Sequence, residues 1–447
     1  MKKDIWIDEI FTRNELLVDH YSNHKVSNMV SDKGRLKFNI ILTAMIGISS
    51  INLCHASAME QSGQSILPFL ENGNYAEMNI FAVDSSVSGV VDRSDLVRDN
   101  QNRSTGDIAE NTQFYTAAVK FQLTDKLSFG LLYDQPFAAK VSYPQRSNNS
   151  YFDNDFSHQG TSVKVDSQNI SMIFGYSPID NFQVYGGPVY QEIKGQVALR
   201  GNAYTEAYDG YNANFKRKGE AGWLIGGSYQ IPDYALKAAI TYRSKIKYSF
   251  QVDEDIFGET LQLTESKKTK LETPQSINVD FQSGISDRTL AYLNLRWVNW
   301  KEFETRPTQF GALSEILLKE ATNGEYTSGF KLDSYQKDQY SATIGIGHQI
   351  SEKWSGSTDV SWDSGTGNPA STLGPIKGSW SLGLGLQFNP TSNYFIAGGV
   401  KYYWLGDART EDGTYYLPIE GIKQIAEQAE FKNNHAIAYG LKIGYRF

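Results

Sequence analysis

The chain has 447 residues and a formal net charge of −8, from 42 Lys and Arg against 50 Asp and Glu. This acidity argues against a protein that binds nucleic acid. The one cysteine, Cys54, lies near the N-terminus, so the rest of the chain has neither disulfides nor thiol chemistry, which suits an oxidising compartment. Abundant Tyr, Phe and Gly (27, 23 and 39) favour strands, aromatic girdles and turns.

The first 58 residues are predicted to be a leader. A basic stretch (33–37), an apolar stretch (38–53) and the small residues Ala56 and Ala58 form the pattern of a secretory signal peptide, which leaves Met59 as the first mature residue. Residues 1–28 carry charges of both signs, unlike the start of a signal peptide. We therefore favour a start codon placed too early, with Met29 as the better start; a genuine cytoplasmic extension is the alternative.

Residues 59–73 separate the leader from the first alternating segment. They carry an apolar face formed by Ile66, Leu67, Phe69 and Leu70. Leaving such side chains in water costs about 1.5–3 kcal/mol each. We therefore expect this short segment to fold into the interior of the domain that follows, residues 74–447, as a plug that contacts bound ligand.

The domain 74–447 is punctuated by connections of two lengths. Six are short and rich in turn-forming residues and seven are long, so thirteen connections join fourteen strands. An even strand number with short turns at one end and long loops at the other is typical of outer-membrane β-barrels whose termini both lie in the periplasm. The turns are predicted at 124–126, 177–181, 232–234, 286–288, 351–353 and 389–393, and the loops at 91–111, 144–164, 200–219, 253–273, 301–336, 364–378 and 406–433.

Alternation of apolar and polar residues favours a transmembrane barrel over a soluble β-sandwich, which is the alternative. The last strand alternates from Ile437 to the terminal Phe447, and segments 115–123, 221–231 and 380–388 do the same. Because lipid cannot hydrogen-bond backbone amides, a spanning chain without an apolar run of about 20 residues must close into a barrel. We therefore predict an all-β fold, a 14-stranded antiparallel transmembrane β-barrel with a short N-terminal plug.

Pro136 lies inside the third predicted strand. Proline cannot donate a ladder hydrogen bond, so it is expected at a bulge or an unpaired edge. We predict an irregularity at Asp134, Gln135, Pro136 and Phe137. A proline that is tolerated near the loop end of the strand, without a passage, is the alternative.

Residues on the opposite strand faces are predicted to point into the lumen. Opposite charges on neighbouring strands are expected to pair there, since desolvated charges need partners. The surplus cations, Arg243 and Arg296 among them, are candidates to bind a ligand carboxylate. The predicted lumen residues of strands 7, 8 and 9 are Lys237, Thr241, Arg243, Lys245, Lys247, Asn278, Asp280, Gln282, Tyr292, Asn294 and Arg296.

Two long loops carry apolar residues, which mark either a ligand-binding groove or a lid whose residues pack only against each other. In the loop 301–336 they recur at helical spacing, and Phe310, Leu313 and Leu317 are the candidate ligand contacts. The loop 406–433 carries Tyr415, Tyr416, Leu417, Ile419, Ile422 and Ile425.

Five motifs resemble those of the FadL/TodX-type outer-membrane transporters. The resemblance runs in order through the mature chain, although the plug is shorter than in the best-known members and lacks their Asn-Pro-Ala element. The motifs are residues 61–65 (QSGQS), 73–77 (GNYAE), 133–138 (YDQPFA), 273–277 (TPQSI) and 295–303 (LRWVNWKEF).

The resemblance implies a fourteen-stranded barrel with an N-terminal hatch in the outer membrane of a Gram-negative bacterium. Such a protein carries long-chain fatty acids or other hydrophobic compounds. The resemblance also implies that a kink in the third strand, here Asp134 to Phe137, opens the wall towards the membrane. It further implies that the barrel assembly machinery reads the aromatic C-terminal strand.

The sequence contains no nucleophile-elbow, zinc or phosphate-loop motif, and its six histidines form no ligand cluster. We therefore expect no enzyme activity, no metal and no cofactor. We expect a monomer whose partners are a hydrophobic small molecule or fatty acid, outer-membrane lipid and the assembly machinery. A general diffusion porin for hydrophilic solutes is the nearer alternative function, and an outer-membrane barrel enzyme is the more distant one.

Overall fold

The computed structural model describes residues 59–91, 104–144, 160–201, 206–419 and 427–447. The predicted leader lies outside the described residues, as do Ile422 and Ile425.

Fourteen antiparallel strands form a closed barrel. Each pairs with its neighbours along the chain, and the last pairs with the first in one register from Tyr75↔Arg446 to Ser86↔His435. The predicted fourteen-stranded barrel is therefore confirmed. The wall strands are β1 (Tyr75–Ser86), β2 (Thr112–Gln122), β3 (Leu127–Asp134 and Ala138–Ser142), β4 (Ser162–Ile179), β5 (Phe182–Ala198), β6 (Tyr211–Ile231), β7 (Leu236–Arg243), β8 (Ser276–Ser286), β9 (Thr289–Val298), β10 (Gln339–Gln349), β11 (Trp354–Asp363), β12 (Ser379–Phe388), β13 (Tyr394–Leu405) and β14 (His435–Arg446).

Side chains alternate between the lumen and the outer surface, because successive residues of a strand point to opposite faces. On β12, Leu382, Leu384 and Leu386 are exposed on the outside, whereas Ser381 and Gln387 are buried in the lumen. An apolar outer surface around a polar interior is the arrangement that a bilayer requires of a barrel. A soluble β-sandwich would bury its apolar faces between two sheets, so that alternative is excluded.

The two ends of the barrel differ. Short turns join the strands at one end, the turn end, and long connections lie at the other, the loop end. The chain enters β1 after Gly73, whose φ of +68° is a left-handed conformation that favours glycine. Phe447 follows β14 at the same end, where its N–H donates to the Asn74 carbonyl oxygen at 3.2 Å.

Two details predicted from the sequence are wrong. The strand β6 begins at Tyr211, inside a predicted loop, because its first residues pair with the loop strand Val252–Ile256. After Arg243 the chain leaves the ladder and the alternation shifts, so Ile246 is buried. Lys245 and Lys247 therefore do not enter the lumen; both are partly or largely exposed and pair with Glu272.

The loop end carries short strands and one α-helix, α1 (Thr308–Ala321). Among the described residues, no helix is long and apolar enough to cross a membrane. The 3-10 helices are Leu67–Leu70, Glu206–Tyr208, Pro232–Tyr234, Trp300–Glu302 and Thr414–Tyr416. The short loop strands are Ser88–Val91, Ser104–Asp107, Ile246–Phe250, Val252–Ile256, Glu259–Thr260, Thr269–Thr273, Glu304–Thr305, Asp333–Ser334, Ala370–Ser371, Ala408–Glu411 and Glu427–Phe431.

Candidate functional site

The wall is interrupted in β3 between Asp134 and Ala138, and we call residues 135–137 the strand-3 break. Below the break β3 pairs with both β2 and β4, and above it the ladder continues with β4. Pairing towards β2 resumes as an isolated bridge between Ala109 and Val141. Pro136, which has no N–H, lies in the middle of the break, as its chemistry requires.

The side chain of Gln135 replaces the missing backbone acceptor on the β2 side of the break. The N–H of Tyr115 on β2 donates to Gln135 Oε1 at 2.8 Å. The edge of β2 is therefore closed at this point by a side-chain amide, which can rotate away, rather than by the main chain of β3.

The N-terminal segment, residues 59–73, lies in the lumen and pairs with the strand-3 break from inside. The Gln61 N–H donates to the Pro136 carbonyl oxygen and the Ala138 N–H donates to the Met59 carbonyl oxygen, each at 2.7 Å. Glu60 and Phe137 form the antiparallel bridge between these two bonds. An extended segment thus adds to an unpaired strand edge, which is the geometry of β-augmentation.

Asp134 also fastens the segment to the wall. Its carboxylate accepts one hydrogen bond from the Ser62 hydroxyl and another from the Asn169 amide of β4, each at 2.7 Å. The carboxylate is buried and joins the end of β3, the neighbouring strand and the segment.

Two of the predicted lumen cations, Arg243 and Arg296, meet around the segment. Arg296 is ion-paired with Glu60 and donates to the Gln64 side chain at 3.2 Å, while Arg243 donates to the Gln64 carbonyl oxygen at 3.2 Å and to Ser171 at 3.1 Å. Arg296 also donates to Asn278 and Ser276 on β8. Both guanidinium groups are therefore engaged by the protein itself. A ligand carboxylate would have to displace Glu60 to reach Arg296.

The predicted apolar face of the segment packs inside the lumen. Ile66, Phe69 and Leu70 are fully buried, and the Phe69 ring makes an edge contact with Tyr185, with ring centroids 5.7 Å apart. Leu67 is half-buried against Leu290 and Tyr292. This part of the segment fills the barrel below the strand-3 break.

Glu71 anchors the segment at the turn end. Its carboxylate lies 3.6 Å from the ammonium of Lys237 and 3.2 Å from the guanidinium of Arg446, and its carbonyl oxygen accepts from Lys120 at 2.6 Å. Three cations on three strands therefore converge on one residue of the segment.

An apolar pocket of about 60 Å³ lies above the break at the loop end. Met59, the first described residue of the segment, forms part of its wall. The segment therefore runs from this pocket, past the strand-3 break, to the turn end. The other apolar side chains that line it are Val163, Val165, Ile193, Val197, Phe215, Phe250, Leu271, Phe303, Leu332 and Leu373.

The candidate loop contacts lie on and around α1 in an apolar cluster at the loop end. Phe310 is fully buried, stacked on Tyr208 with centroids 4.5 Å apart, and in edge contact with Tyr211 and Phe330. Glu254 accepts from the N–H groups of Gln309 and Phe310 at the start of α1, which fixes the helix on the barrel rim. Leu313 and Leu317 are half-buried on the same core.

The sequence interpretation missed the polar residues of the segment, Glu60, Ser62, Gln64 and Glu71. They carry most of its contacts with the wall. One signal in the sequence could have identified them. The predicted lumen has more cations than anions, and the segment that enters it carries two glutamates. Within the described ranges, no group of three or more His, Cys, Asp or Glu side chains is placed to hold a metal ion.

Solved structures share the fold over most of their length. A Pseudomonas aeruginosa FadL homologue has a TM-score of 0.62 at 12% identity, with 85% of this chain and 92% of that chain covered. The Pseudomonas putida toluene transporter TodX has a TM-score of 0.56 at 12% identity, covering 89% and 94%. The Ralstonia pickettii toluene transporter TbuX has a TM-score of 0.53 at 11% identity, covering 88% and 95%.

At these identities the likeness shows the fold alone. No curated protein matches the chain. A family model described as outer membrane protein transport protein (OMPP1/FadL/TodX) matches residues 21–447, nearly the whole sequence. The chain therefore belongs to this family of transport proteins of the Gram-negative outer membrane.

Proposed function

We propose that the protein carries hydrophobic compounds, long-chain fatty acids or hydrocarbons, across the outer membrane. The ligand enters at the loop end, which faces the cell exterior, and reaches the apolar pocket. It leaves sideways into the lipid through the strand-3 break when the N-terminal segment, acting as a plug, moves away.

One observation carries this proposal: residues 59–61 are hydrogen-bonded to the strand-3 break while Met59 lines the apolar pocket. A single movement of the segment therefore enlarges the pocket and removes the inner support of the break. Coupling of the two events gives the ligand an exit only when it has room to enter.

A side exit suits an apolar ligand for a simple reason. A water-filled pore would keep the apolar tail wet, at about 25 cal/mol for each Å² of exposed surface, whereas an opening to the bilayer transfers it directly into lipid. The segment also fills the lumen with buried side chains at this level, which favours a plugged carrier over a general diffusion porin. The names of TodX and TbuX, toluene transporters of the same fold, support a hydrophobic cargo.

A disulfide that locks the segment to the wall tests the proposal. The Ser62 hydroxyl lies 2.7 Å from Asp134 Oδ2, so we expect Ser62→Cys with Asp134→Cys to place two thiols within reach of a disulfide. Residues 59–447 contain no other cysteine. We expect the oxidised variant to lose uptake of a fluorescent fatty acid and of toluene by cells, and reduction to restore it.

A matched lock elsewhere provides the control. Thr343→Cys with Ser361→Cys joins β10 to β11. The hydroxyl groups of Thr343 and Ser361 are 2.8 Å apart in an uninterrupted part of the wall. This lock should leave uptake unchanged. Uptake at the wild-type rate by the oxidised Ser62–Asp134 lock would mean that the ligand does not pass the segment, and the proposed route would be wrong.

A further inference from the structure

The apolar pocket contains two polar atoms that have no partner. Thr305 and Asp333 face each other across the short ladder of the loop strands Glu304–Thr305 and Asp333–Ser334, and both line the pocket. Thr305 Oγ1 and Asp333 Oδ1 are buried and make no hydrogen bond. Thr305 is 8% exposed as a whole residue, and the Asp333 carboxyl group also accepts hydrogen bonds from the Ser371 side chain and the Ser334 backbone.

Unsatisfied buried polar atoms are rare in proteins, and each one destabilises the fold. Here two of them occur side by side in a pocket whose other walls are mostly Val, Ile, Leu and Phe. A pocket of this kind recognises a ligand that is apolar along its length and carries a hydrogen-bonding group at its end.

The charges around the pocket select against an anionic end group. Among the described residues that line it, the one cation is Lys194, whose ammonium is half-exposed and pairs with Asp166 at 3.4 Å. Asp333 is an acid, and Glu411 is close enough for the two carboxyl groups to repel each other when charged. Burial raises the pKa of Asp333 to about 7, so the group both donates and accepts hydrogen bonds below that pH.

From this geometry we infer that the ligand of the apolar pocket is an uncharged amphiphile with a terminal hydroxyl, such as an aliphatic alcohol, whose oxygen bonds to Thr305 and Asp333. This inference rests on the proposed function and ranks its cargo at this pocket, with uncharged alcohols above fatty-acid anions. The cavity of about 60 Å³ is smaller than the roughly 150 Å³ that hold a benzene ring, so the closed pocket accepts the hydroxyl end first. Movement of Met59 then makes room for the chain.

Three ligands of equal chain length test the inference: decane, 1-decanol and decanoate, each titrated at pH 8 against the purified full barrel in detergent. The measured quantity is the ratio of the Kd values for decane and decanol, compared between variants. Thr305→Val keeps the shape of the side chain and removes the hydroxyl. We expect this substitution to raise the Kd for decanol by about three- to tenfold, as the loss of one hydrogen bond predicts, and to leave the Kd for decane unchanged.

Thr269→Val is the matched control, since Thr269 is also buried with an unpartnered hydroxyl but does not line the pocket. It should leave the ratio unchanged. Decanoate should bind the wild type more weakly than decanol does. Asp333→Asn should reduce this difference in affinity.

The outcomes separate the two proposals. An unchanged ratio in Thr305→Val, or decanoate as the tightest ligand, overturns the hydroxyl inference while the transport function stands. Absence of binding for all three ligands contradicts the proposed function, and the inference falls with it.

Discussion

Glu60 of the N-terminal segment is ion-paired with Arg296 on β9, with side chains 3% and 1% exposed. The guanidinium Nε lies 2.7 Å from Glu60 Oε1. A buried pair of this kind adds little to stability by itself, but removal of one partner leaves a charge without compensation. The pair therefore makes the docked position of the segment specific, and its loss should be felt at the strand-3 break, where Glu60 bridges Phe137.

Glu60→Gln is expected to release the segment from the lumen. Breaking a buried ion pair costs on the order of 3–5 kcal/mol, which is enough to populate an undocked state. Single-channel conductance in planar bilayers should rise from a low level in the wild type. The double variant Glu60→Gln with Arg296→Gln should show a smaller rise than Glu60→Gln alone, because no charge is left unpaired.

Asp253→Asn is the control for this prediction. It breaks the ion pair between Asp253 and Lys216. Both side chains are more than half exposed, so the pair contributes little to the stability of the barrel. Conductance should stay at the wild-type level. An equal rise in both variants would show that the assay responds to general loosening of the barrel.

Repair of the strand-3 break should reduce uptake. Gln135→Val with Pro136→Thr restores an N–H and strand-forming side chains while keeping Asp134, which holds Ser62 and Asn169. Restored pairing with β2 should leave heat resistance equal or higher while uptake of a hydrophobic compound falls severalfold. Uptake at the wild-type rate would point to an exit past the segment at the turn end.

Pro188→Thr is the matched substitution. Pro188 lies within β5 and pairs in register with Trp223 of β6. On the β4 side no pair is formed at Pro188, but the register is the same before and after it, from Phe174↔Gly186 to Ser171↔Val189. Its replacement should not alter uptake. Unchanged uptake would show that a proline within a strand does not by itself open the barrel wall.

Deletion of Phe447 should lower the yield of assembled, heat-modifiable barrel. The ring contacts Phe121 and Tyr445 on the outer rim, with centroids 6.0 and 5.6 Å away, whereas the ladder between β1 and β14 does not depend on it. Barrel that does assemble should therefore melt near the wild-type temperature. Phe121→Ala removes one of these ring contacts but keeps the C-terminus, so normal assembly of that variant would separate recognition by the assembly machinery from simple packing.

Glu411→Gln should make the loop end less sensitive to pH. Burial, with the nearby Asp412 and Asp333, raises the pKa of Glu411 to about 8, whereas the unfolded value is near 4.5. Between these values the unfolded loop releases a proton that the folded loop keeps, so stability falls as pH rises from 4.5 to 8.

Hydrogen-exchange protection of the strand Ala408–Glu411 measures this effect. In the wild type the protection should fall by up to about tenfold per pH unit between pH 4.5 and about 8, the window set by the two pKa values. In Glu411→Gln it should fall less steeply. The two proteins should agree at pH values below the window. Identical pH profiles throughout would contradict the assigned titration.

Local patterns were sufficient to predict the barrel. Strict period-two alternation, short turns and long loops are properties of neighbouring residues, and they gave fourteen strands with the correct faces, including Leu382, Leu384 and Leu386 outside. The burial of Ile66, Phe69 and Leu70 was equally predictable, because large apolar side chains before a barrel have nowhere else to leave water.

The tertiary structure alone decided which residues meet. Glu60 and Arg296 are 236 positions apart, and the local sequence around either residue does not predict that the two pair. After Arg243 the chain leaves the ladder, and from there each side chain points to the face opposite to the one that the alternation predicted. Lys245 and Lys247 therefore lie outside the lumen. Periodicity fixes the face of a residue within its strand, but the contacts inside a closed barrel depend on register, bulges and the path of the N-terminal segment, which only the folded chain defines.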